Sequence, residues 1–177
     1  MKKNYTLLLL AFLTSYISGF SQEILPKDFT EVEKSIITDF QFRNSAVSTP
    51  PDGSVRTAAE WEEIEYLVIR WTSGFNDILL QIVQATVEEC KVLIATQNQS
   101  AVASYLNSNG VDMSQVEFLN APSNSIWIRD YAANTVYFDD VGERALVDWI
   151  YNRPRPLDNE LPVFHADFVD APIFRTN

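Results

Sequence analysis

The sequence is poor in cysteine, histidine and glycine, and each scarcity excludes a kind of site. Its 177 residues include one cysteine, Cys90, one histidine, His165, and five glycines. A lone cysteine cannot form an intramolecular disulfide, and one cysteine with one histidine cannot build an ordinary zinc site. Neither a GxGxxG fingerprint nor a P-loop occurs, and no acidic loop has the spacing of calcium ligands. We therefore expect neither a metal nor another cofactor.

Positive charge is also scarce, which bears on the class of partner. Lysine and arginine number 13 against 24 acidic residues, for a net charge of −11. Binding to nucleic acid needs clustered lysine and arginine to neutralise phosphates, so we expect no nucleic-acid partner. Hydrophobic residues make up 46% of the chain and aromatic residues 12%, which is enough for a folded core.

The first 21 residues have the layout of a secretory signal peptide. Lys2 and Lys3 precede an apolar run at 7–13, and Gly19-Phe20-Ser21 places small residues where a signal peptidase cleaves. The alternative is a membrane anchor, but the run is shorter than the roughly 20 apolar residues that span a bilayer. We expect an exported protein, periplasmic or secreted, that begins at Gln22 and has no membrane segment after signal removal.

Beyond the signal peptide, the hydrophobic pattern predicts a linker and then an α/β domain. Residues 22–57 have little periodicity and contain Pro50-Pro51 and Asp52-Gly53, which are typical of a linker and a turn. Apolar runs then predict strands at 64–71, 91–96, 116–119, 126–138 and 145–151, and helical stripes predict helices at 76–90 and 100–109, the second with Gly110 as a left-handed cap. This order predicts mixed sheet units in an α/β fold.

Residues 124–131, Asn-Ser-Ile-Trp-Ile-Arg-Asp-Tyr, concentrate side chains that need partners. In an extended strand, Trp127 and Arg129 would point to one side and Asp130 to the other. A carboxylate beside an aromatic ring suits a guanidinium, because the acid accepts two parallel N–H bonds and the ring covers the cation's face. The alternative is a structural ion pair of Arg129 and Asp130 with Trp127 in the core, and the spacing alone leaves both open.

These residues also carry a family resemblance. Residues 54–61, Ser-Val-Arg-Thr-Ala-Ala-Glu-Trp, resemble the opening of the agmatine deiminase and Porphyromonas-type peptidylarginine deiminase family. Trp127-Ile-Arg-Asp-Tyr131 is similar to its Trp-x-Arg-Asp-Tyr signature, and Asp148-Trp149 followed by Asn152 resembles its next landmark. The resemblance implies a partial pentein-type α/β propeller built of ββαβ units, and hydrolysis of a guanidine to a urea group plus ammonia.

The resemblance also implies roles for individual residues. Asp130 matches a catalytic carboxylate that holds the guanidinium nitrogens, and Trp127 matches a residue that packs along the substrate. Residues 151–156, Tyr-Asn-Arg-Pro-Arg-Pro, resemble the version found in peptidylarginine deiminases, where two arginines bind the free carboxylate of a C-terminal arginine. Arg153 and Arg155 would take that role, although a solvated loop with two surface arginines is the alternative.

The predicted substrate follows from that motif. Agmatine has no carboxylate, so the sequence favours a peptidylarginine deiminase that produces peptidyl-citrulline from C-terminal arginine. An agmatine deiminase of putrescine biosynthesis, which forms N-carbamoylputrescine, is one alternative. A non-catalytic module that binds arginine-containing ligands is another. The expected partner is thus a peptide or a small guanidino substrate, and the sequence predicts no oligomeric state.

The family's catalytic cysteine and histidine have no match in this chain. His165-Ala-Asp167 imitates the family's His-x-Asp pair but comes too early in the order, so we interpret His165 as a structural residue at a strand or loop edge. We interpret Cys90 as a half-buried small hydrophobe. We therefore expect residues 58–177 to be the truncated N-terminal part of a deiminase catalytic domain, inactive by itself.

Overall fold

The secondary structure alternates helices with short strands. The computed structural model describes residues 24–42, 47–59, 61–138 and 143–176, so the signal peptide predicted at 1–21 lies outside the described residues. The helices are α1 (Glu31–Ile36), α2 (Asn76–Thr86), α3 (Gln99–Ser108), α4 (Ile128–Tyr131) and α5 (Pro156–Val169). The strands are β1 (Val55–Thr57), β2 (Tyr66–Arg70), β3 (Lys91–Ala95), β4 (Val116–Leu119), β5 (Asn134–Phe138), β6 (Glu143–Asp148) and β7 (Ile173–Arg175).

A three-stranded parallel sheet in the order β2-β3-β4 forms the first half of the fold. Helices α2 and α3 connect its strands, as parallel pairing requires, because a hairpin turn cannot return the chain to the starting end of the sheet. Four of these five elements lie within the predicted ranges, α3 begins one residue earlier than predicted, and Gly110 adopts the predicted left-handed conformation with φ of 75°. The predictions for residues 64–119 are therefore confirmed.

Alternation along the strands divides the core between the two faces of this sheet. Ile69, Val92 and Ile94 face α2 and α3, whose buried residues include Leu79, Val83, Val102 and Leu106. Leu93, Ala95 and Leu119 face the opposite way and pack with Tyr131, Tyr151 and Leu161. The second face is thus covered by α4, α5 and the segment between β6 and α5, which is where the Asp130 motif lies.

The second sheet has four strands in the order β1-β5-β6-β7. Strands β5 and β6 form an antiparallel pair, β1 is antiparallel to β5, and β7 is parallel to β6. This strand pairing agrees with the mixed sheet units expected from the sequence. Strand β6 ends at Asp148, so the predicted strand at 145–151 is too long at its C-terminal end.

The long strand predicted at 126–138 is wrong in its first half. The Asp130 amide donates to the Trp127 carbonyl at 2.8 Å and the Ala132 amide donates to the Ile128 carbonyl at 2.7 Å. These bonds close a single helical turn, α4, and extended structure begins only at Asn134. The predicted alternation of Trp127 and Arg129 against Asp130 therefore does not apply, because residues in a helical turn project at about 100° steps.

Two helices lie where the sequence predicted none. Helix α1 falls within the predicted linker and begins at a capping box, in which Thr30 and Glu33 exchange side-chain and backbone hydrogen bonds of 3.1 and 2.7 Å. Helix α5 begins with Pro156 and contains Pro162. His165 lies on its buried side, so the prediction of a strand or loop edge is wrong. Within the described part of the chain, the helices are too short or too polar to cross a membrane.

Helix α5 fixes the loop that leads into the α4 turn. The buried carboxylate of Asp158 accepts hydrogen bonds from the backbone amides of Asn124 at 2.7 Å and Ser125 at 3.1 Å, and from the Ser125 hydroxyl at 2.7 Å. In return, the Asn124 side chain accepts a bond from the Leu157 amide at 2.9 Å. The Tyr131 hydroxyl donates to the Ser125 carbonyl at 2.7 Å, which ties the end of α4 to the same loop. The backbone of 124–131 is therefore held at both ends.

Replacing Asp158 with alanine should lower the free energy of unfolding by about 2–4 kcal/mol, because two backbone amides and a hydroxyl lose their buried acceptor. Asp158→Asn keeps an acceptor oxygen and should cost clearly less. Urea unfolding of both variants measures the difference. Equal losses in the two variants would contradict the role of these hydrogen bonds.

Asp158 should also make the free energy of unfolding depend on pH. Burial raises the pKa of Asp158 above its ordinary value of about 4, so the folded state binds this proton more tightly than the unfolded state. The resulting stabilisation is present below about pH 4 and is lost as pH rises through the raised pKa. The stability of the wild type relative to Asp158→Asn should therefore fall with increasing pH in a series of urea titrations. A difference that rises with pH would contradict this sign.

Candidate functional site

A cleft of about 340 Å³ opens beside the α4 turn. Its wall comes from α4, from the segment that follows β6, and from the N-terminal segment: Lys27, Asp130, Trp149, Ile150, Tyr151, Asn152 and Arg153. Two residues of the predicted site, Asp130 and Arg153, lie together here. The cleft wall therefore combines one acidic residue, two basic residues and two large aromatic residues.

The main chain of Asp130 is held from both directions. Its amide is bonded within the α4 turn, and its carbonyl accepts a hydrogen bond from the Trp149 indole at 3.1 Å. Within the described residues, the Asp130 carboxylate makes no salt bridge, and the neighbouring Arg129 is exposed. The alternative of an Arg129–Asp130 ion pair therefore finds no support. Asp130 presents an unneutralised acid to the cleft.

Tyr151 forms the buried side of the cleft. It is 4% exposed, and its ring lies 5.5 Å from the ring of Tyr131, centroid to centroid. Burial raises the pKa of Tyr151, and the negative charges of Asp158 and Asp130 act in the same direction, whereas Arg155 opposes them. The Tyr151 hydroxyl therefore stays protonated at neutral pH and can act as a neutral hydrogen-bonding group.

The structure assigns the aromatic wall to residues other than Trp127. The Trp127 indole donates to the Leu25 carbonyl at 2.9 Å, and its ring packs at the edge of the core on the second sheet face. Trp127 is not among the described residues that line the cleft; Trp149 and Tyr151 are. Sequence reasoning noted Trp149 only as part of a family landmark. The sequence feature that pointed to Trp149 was the Asp148-Trp149 pair at the end of a strand.

Arg153 is half-buried and keeps part of its guanidinium available. Its Nε donates to the Lys27 carbonyl at 3.2 Å, and one terminal nitrogen donates to the Asn152 side chain at 2.8 Å. The guanidinium lies over the Phe29 ring, with 4.2 Å from the central carbon to the ring centroid. Among the described residues it has no carboxylate partner. Arg153 can therefore still donate hydrogen bonds to an anion.

Arg155 has a different environment from Arg153. Its side chain is 1% exposed and pairs with Glu33 at 2.7 and 3.2 Å. It also donates to the carbonyls of Pro26 at 2.7 Å and Asp28 at 3.3 Å, and to the Tyr151 hydroxyl at 3.3 Å. No face of the guanidinium is left for a ligand. In this structure Arg155 is thus a buried, paired side chain, and its role in carboxylate binding stays a prediction.

The backbone explains why the two arginines diverge. The Arg155 amide donates to the Arg153 carbonyl at 2.8 Å, and this bend leads directly into α5. Glu33, the ion partner of Arg155, is held in its charged form. Burial would raise the pKa of Glu33, but hydrogen bonds from Arg155 and Thr30 outweigh burial and lower it. Glu33 is thus an ionised partner for Arg155.

The remaining reactive residues lie elsewhere. Cys90 is partly exposed in the turn between α2 and β3, in agreement with the predicted half-buried position. His165 lines a separate cavity of about 620 Å³, together with Arg144 and Tyr66. Burial lowers the pKa of His165, and the charge of Arg144 lowers it further. Neither residue lines the Asp130 cleft, so the structure places neither a thiol nor an imidazole beside Asp130.

Replacing Arg155 with methionine should lower the free energy of unfolding by about 3–5 kcal/mol, because Glu33 is left as an unpaired buried charge. The double variant Glu33→Met with Arg155→Met should lose much less than the sum of the two single losses. The matched control is Arg153→Met, which should cost about 1 kcal/mol or less, because Arg153 makes no ion pair within the described residues. Thermal or urea unfolding checks all four. Additive losses would contradict a coupled pair.

Comparison with known proteins identifies the family. Residues 56–158, more than half of the chain, match the family model described as Porphyromonas-type peptidyl-arginine deiminase. The C. jejuni agmatine deiminase is a similar solved structure, with 24% identity and a TM-score of 0.56 over 70% of this chain and 40% of that chain. A candidate arginine deiminase from Porphyromonas gingivalis has 13% identity and a TM-score of 0.56 over 69% of this chain and 40% of that chain.

The structural similarity shows a shared mixed α/β fold, and the chain spans about 40% of the length of these two proteins. The matched range 56–158 contains the whole Asp130 motif and both arginines of the 151–156 motif, whereas Lys27 and Glu33 lie before it. Because the family model covers more than half of the sequence, the chain belongs to the Porphyromonas-type peptidyl-arginine deiminase family.

Proposed function

We propose that this chain supplies the guanidinium-binding part of an exported arginine-type deiminase. The complete protein hydrolyses a guanidine to a urea group plus ammonia, and its substrate is a peptide that ends in arginine, which becomes peptidyl-citrulline. The observation that carries the proposal is the cleft itself, which places the free carboxylate of Asp130 and the available cation of Arg153 in one space of about 340 Å³. An arginine with a free carboxylate has the complementary pair of charges.

The chemistry assigns a clear task to Asp130. A guanidinium is a poor electrophile because its charge is delocalised, so a hydrolase must fix its plane and stabilise charge on its nitrogens as the carbon becomes tetrahedral. A carboxylate does both through parallel N–H···O bonds. The Trp149 and Tyr151 rings can flank the flat cation, and the Trp149 indole holds the main chain of Asp130 in place.

Hydrolysis also requires an attacking thiol and an imidazole that acts as acid and base. Cys90 and His165 lie outside the cleft, and the chain spans about 40% of its solved relatives. We propose that both groups come from further ββαβ units of a pentein propeller, of which residues 58–177 form the first part. The chain alone would then bind ligand without turning it over.

Agmatine is the second candidate substrate. It is favoured by the fold shared with the C. jejuni agmatine deiminase and with a substrate-bound variant of that enzyme, which has 21% identity and a TM-score of 0.56 over 73% of this chain and 42% of that chain. Against agmatine stand Arg153 and Lys27 in the cleft wall, since agmatine is cationic at both ends and would meet like charge there. The signal layout at 1–21 also favours an extracellular peptide. A purely binding module would use the same cleft without hydrolysis.

Asp130→Asn should weaken binding of a short peptide ending in arginine by about 10- to 100-fold, because one charge-assisted pair is lost while the shape is kept. Isothermal titration of the purified chain measures this. The matched control is Asp167→Asn, an exposed acid on α5 outside the cleft, which should bind as the wild type does. Equal affinities for wild type and Asp130→Asn would remove the proposed function.

A further inference from the structure

Four successive main-chain carbonyls near the N-terminus, those of residues 25–28, accept hydrogen bonds from side chains of the predicted site. The Trp127 indole donates to the first carbonyl at 2.9 Å. Arg155 donates to the second at 2.7 Å and to the fourth at 3.3 Å, and Arg153 donates to the third at 3.2 Å. Three of the four predicted site residues are therefore bound to the main chain of one short segment, and Asp130 is the fourth.

Two side chains of the same segment add contacts to this surface. The Glu33 carboxylate accepts from Arg155 at 2.7 and 3.2 Å, and the Phe29 ring lies 4.2 Å from the central carbon of the Arg153 guanidinium. Hydrogen bonds to successive carbonyls recognise a peptide main chain whatever its side chains, as in other peptide-binding sites. The surface formed by Trp127, Arg153 and Arg155 is thus occupied by a peptide that belongs to the chain itself.

The segment contributes little to the hydrophobic core. Within residues 24–36, Glu33 is the only buried residue. The segment also lies before the range 56–158 that matches the family model. Three of its apolar side chains are exposed, by 47%, 70% and 42% respectively: Ile24, Val32 and Ile36. Polar contacts therefore hold the segment, and its departure would uncover little apolar surface.

We propose that residues 25–33 are a tethered peptide ligand, which occupies the surface of Trp127, Arg153 and Arg155 and competes with the peptide substrate. This inference rests on the proposed function, because a substrate competes with the segment only if it uses the same surface. Arg155 becomes available to a substrate only after the segment has left. The apparent affinity for substrate is then reduced in proportion to the fraction of molecules whose surface is free.

Loosening α1 should therefore strengthen the binding of a short peptide that ends in arginine. Thr30→Ala removes the hydroxyl that caps α1 and leaves every site residue in place. It should tighten binding by about two- to fivefold, because the loss of an N-cap shifts the segment towards release. Ser35→Ala is the matched control, since it also removes a hydroxyl from α1 but not the cap, and should change the affinity by less than about twofold. Isothermal titration of the full chain measures both variants.

Cutting the tether gives a second measurement. A protease site introduced at Thr38-Asp39, an exposed turn after α1, allows the folded chain to be cut. The hydrogen bonds between Ser48 and Arg175 lie after the cut and are kept. Release of the N-terminal fragment should tighten peptide binding by about tenfold or more, because the competitor loses its high effective concentration. Far-UV circular dichroism checks that the cut chain stays folded.

A synthetic peptide of residues 24–37 should compete with the arginine-ending peptide for the cut chain. The same synthetic peptide with Glu33→Gln should compete at least about threefold less well, because it loses the charge-assisted pair with Arg155. Should the cut chain unfold, Thr30→Ala still decides the question in the intact chain.

Asp130→Asn separates failure of this inference from failure of the proposed function. If this variant binds the arginine-ending peptide as the wild type does, the proposed function fails. If it weakens binding, but neither Thr30→Ala nor the cut tightens binding, the segment is a permanent wall of the cleft. The competition is then excluded while the proposed function stands. Weaker binding in Thr30→Ala would exclude it in the same way.

Discussion

The arrangement of the site depends on one buried cation, the guanidinium of Arg155. Arginine does not lose its proton inside proteins, so a buried guanidinium needs a full set of acceptors. Arg155 finds them in Glu33, in two carbonyls of the N-terminal segment and in Tyr151. These partners come from two parts of the chain, residues 26–33 and Tyr151, and Arg155 itself directly precedes α5. Satisfying one side chain therefore places the N-terminal segment, the wall of the cleft and the start of α5 relative to one another.

A second buried ionisable side chain, Asp158, performs a similar function for the loop that leads into α4. Asp158 holds the loop at Asn124 and Ser125, and Tyr131 is bonded to the same loop. Asp130, which lines the cleft, thus lies on a backbone that is fixed by Asp158, which is not among the residues that line the cleft. Rigid support of this kind matters for a guanidinium, because a bidentate pair is lost when the carboxylate rotates out of the plane of the cation.

The parts of the fold that the sequence predicted correctly are those with local causes. The β2-β3-β4 sheet and its two helices follow from apolar runs and helical stripes, and Gly110 from the freedom of glycine in a left-handed cap. Helix α5 was missed because its prolines argue against a helix, although Pro156 at the first position is compatible with one. The α4 turn was missed because four residues are too few for a periodic signal.

The residues of the candidate site also divide into those with a local sequence signal and those without one. The Asp130 motif was found because Trp, Arg and Asp occur within four residues, and the resemblance supplied its role. The ion pair of Arg155 could not be predicted because its partner Glu33 lies 122 residues earlier in the chain, and no spacing rule connects the two. Lys27 was missed for a related reason. It lies in a stretch without periodicity, and only tertiary structure shows that this residue lines the cleft with Asp130.

The separation of these partners has a consequence for how the molecule folds. The parallel sheet is built from neighbouring strand-helix units, so its loops are short and their closure is entropically cheap. The cleft instead requires the N-terminal segment to meet Arg155 across most of the chain, and such long-range closures are favoured only after the sheet already offers a surface. We therefore expect the cleft to be the last part of the molecule to form. A ligand that spans it then stabilises the complete fold rather than a local element.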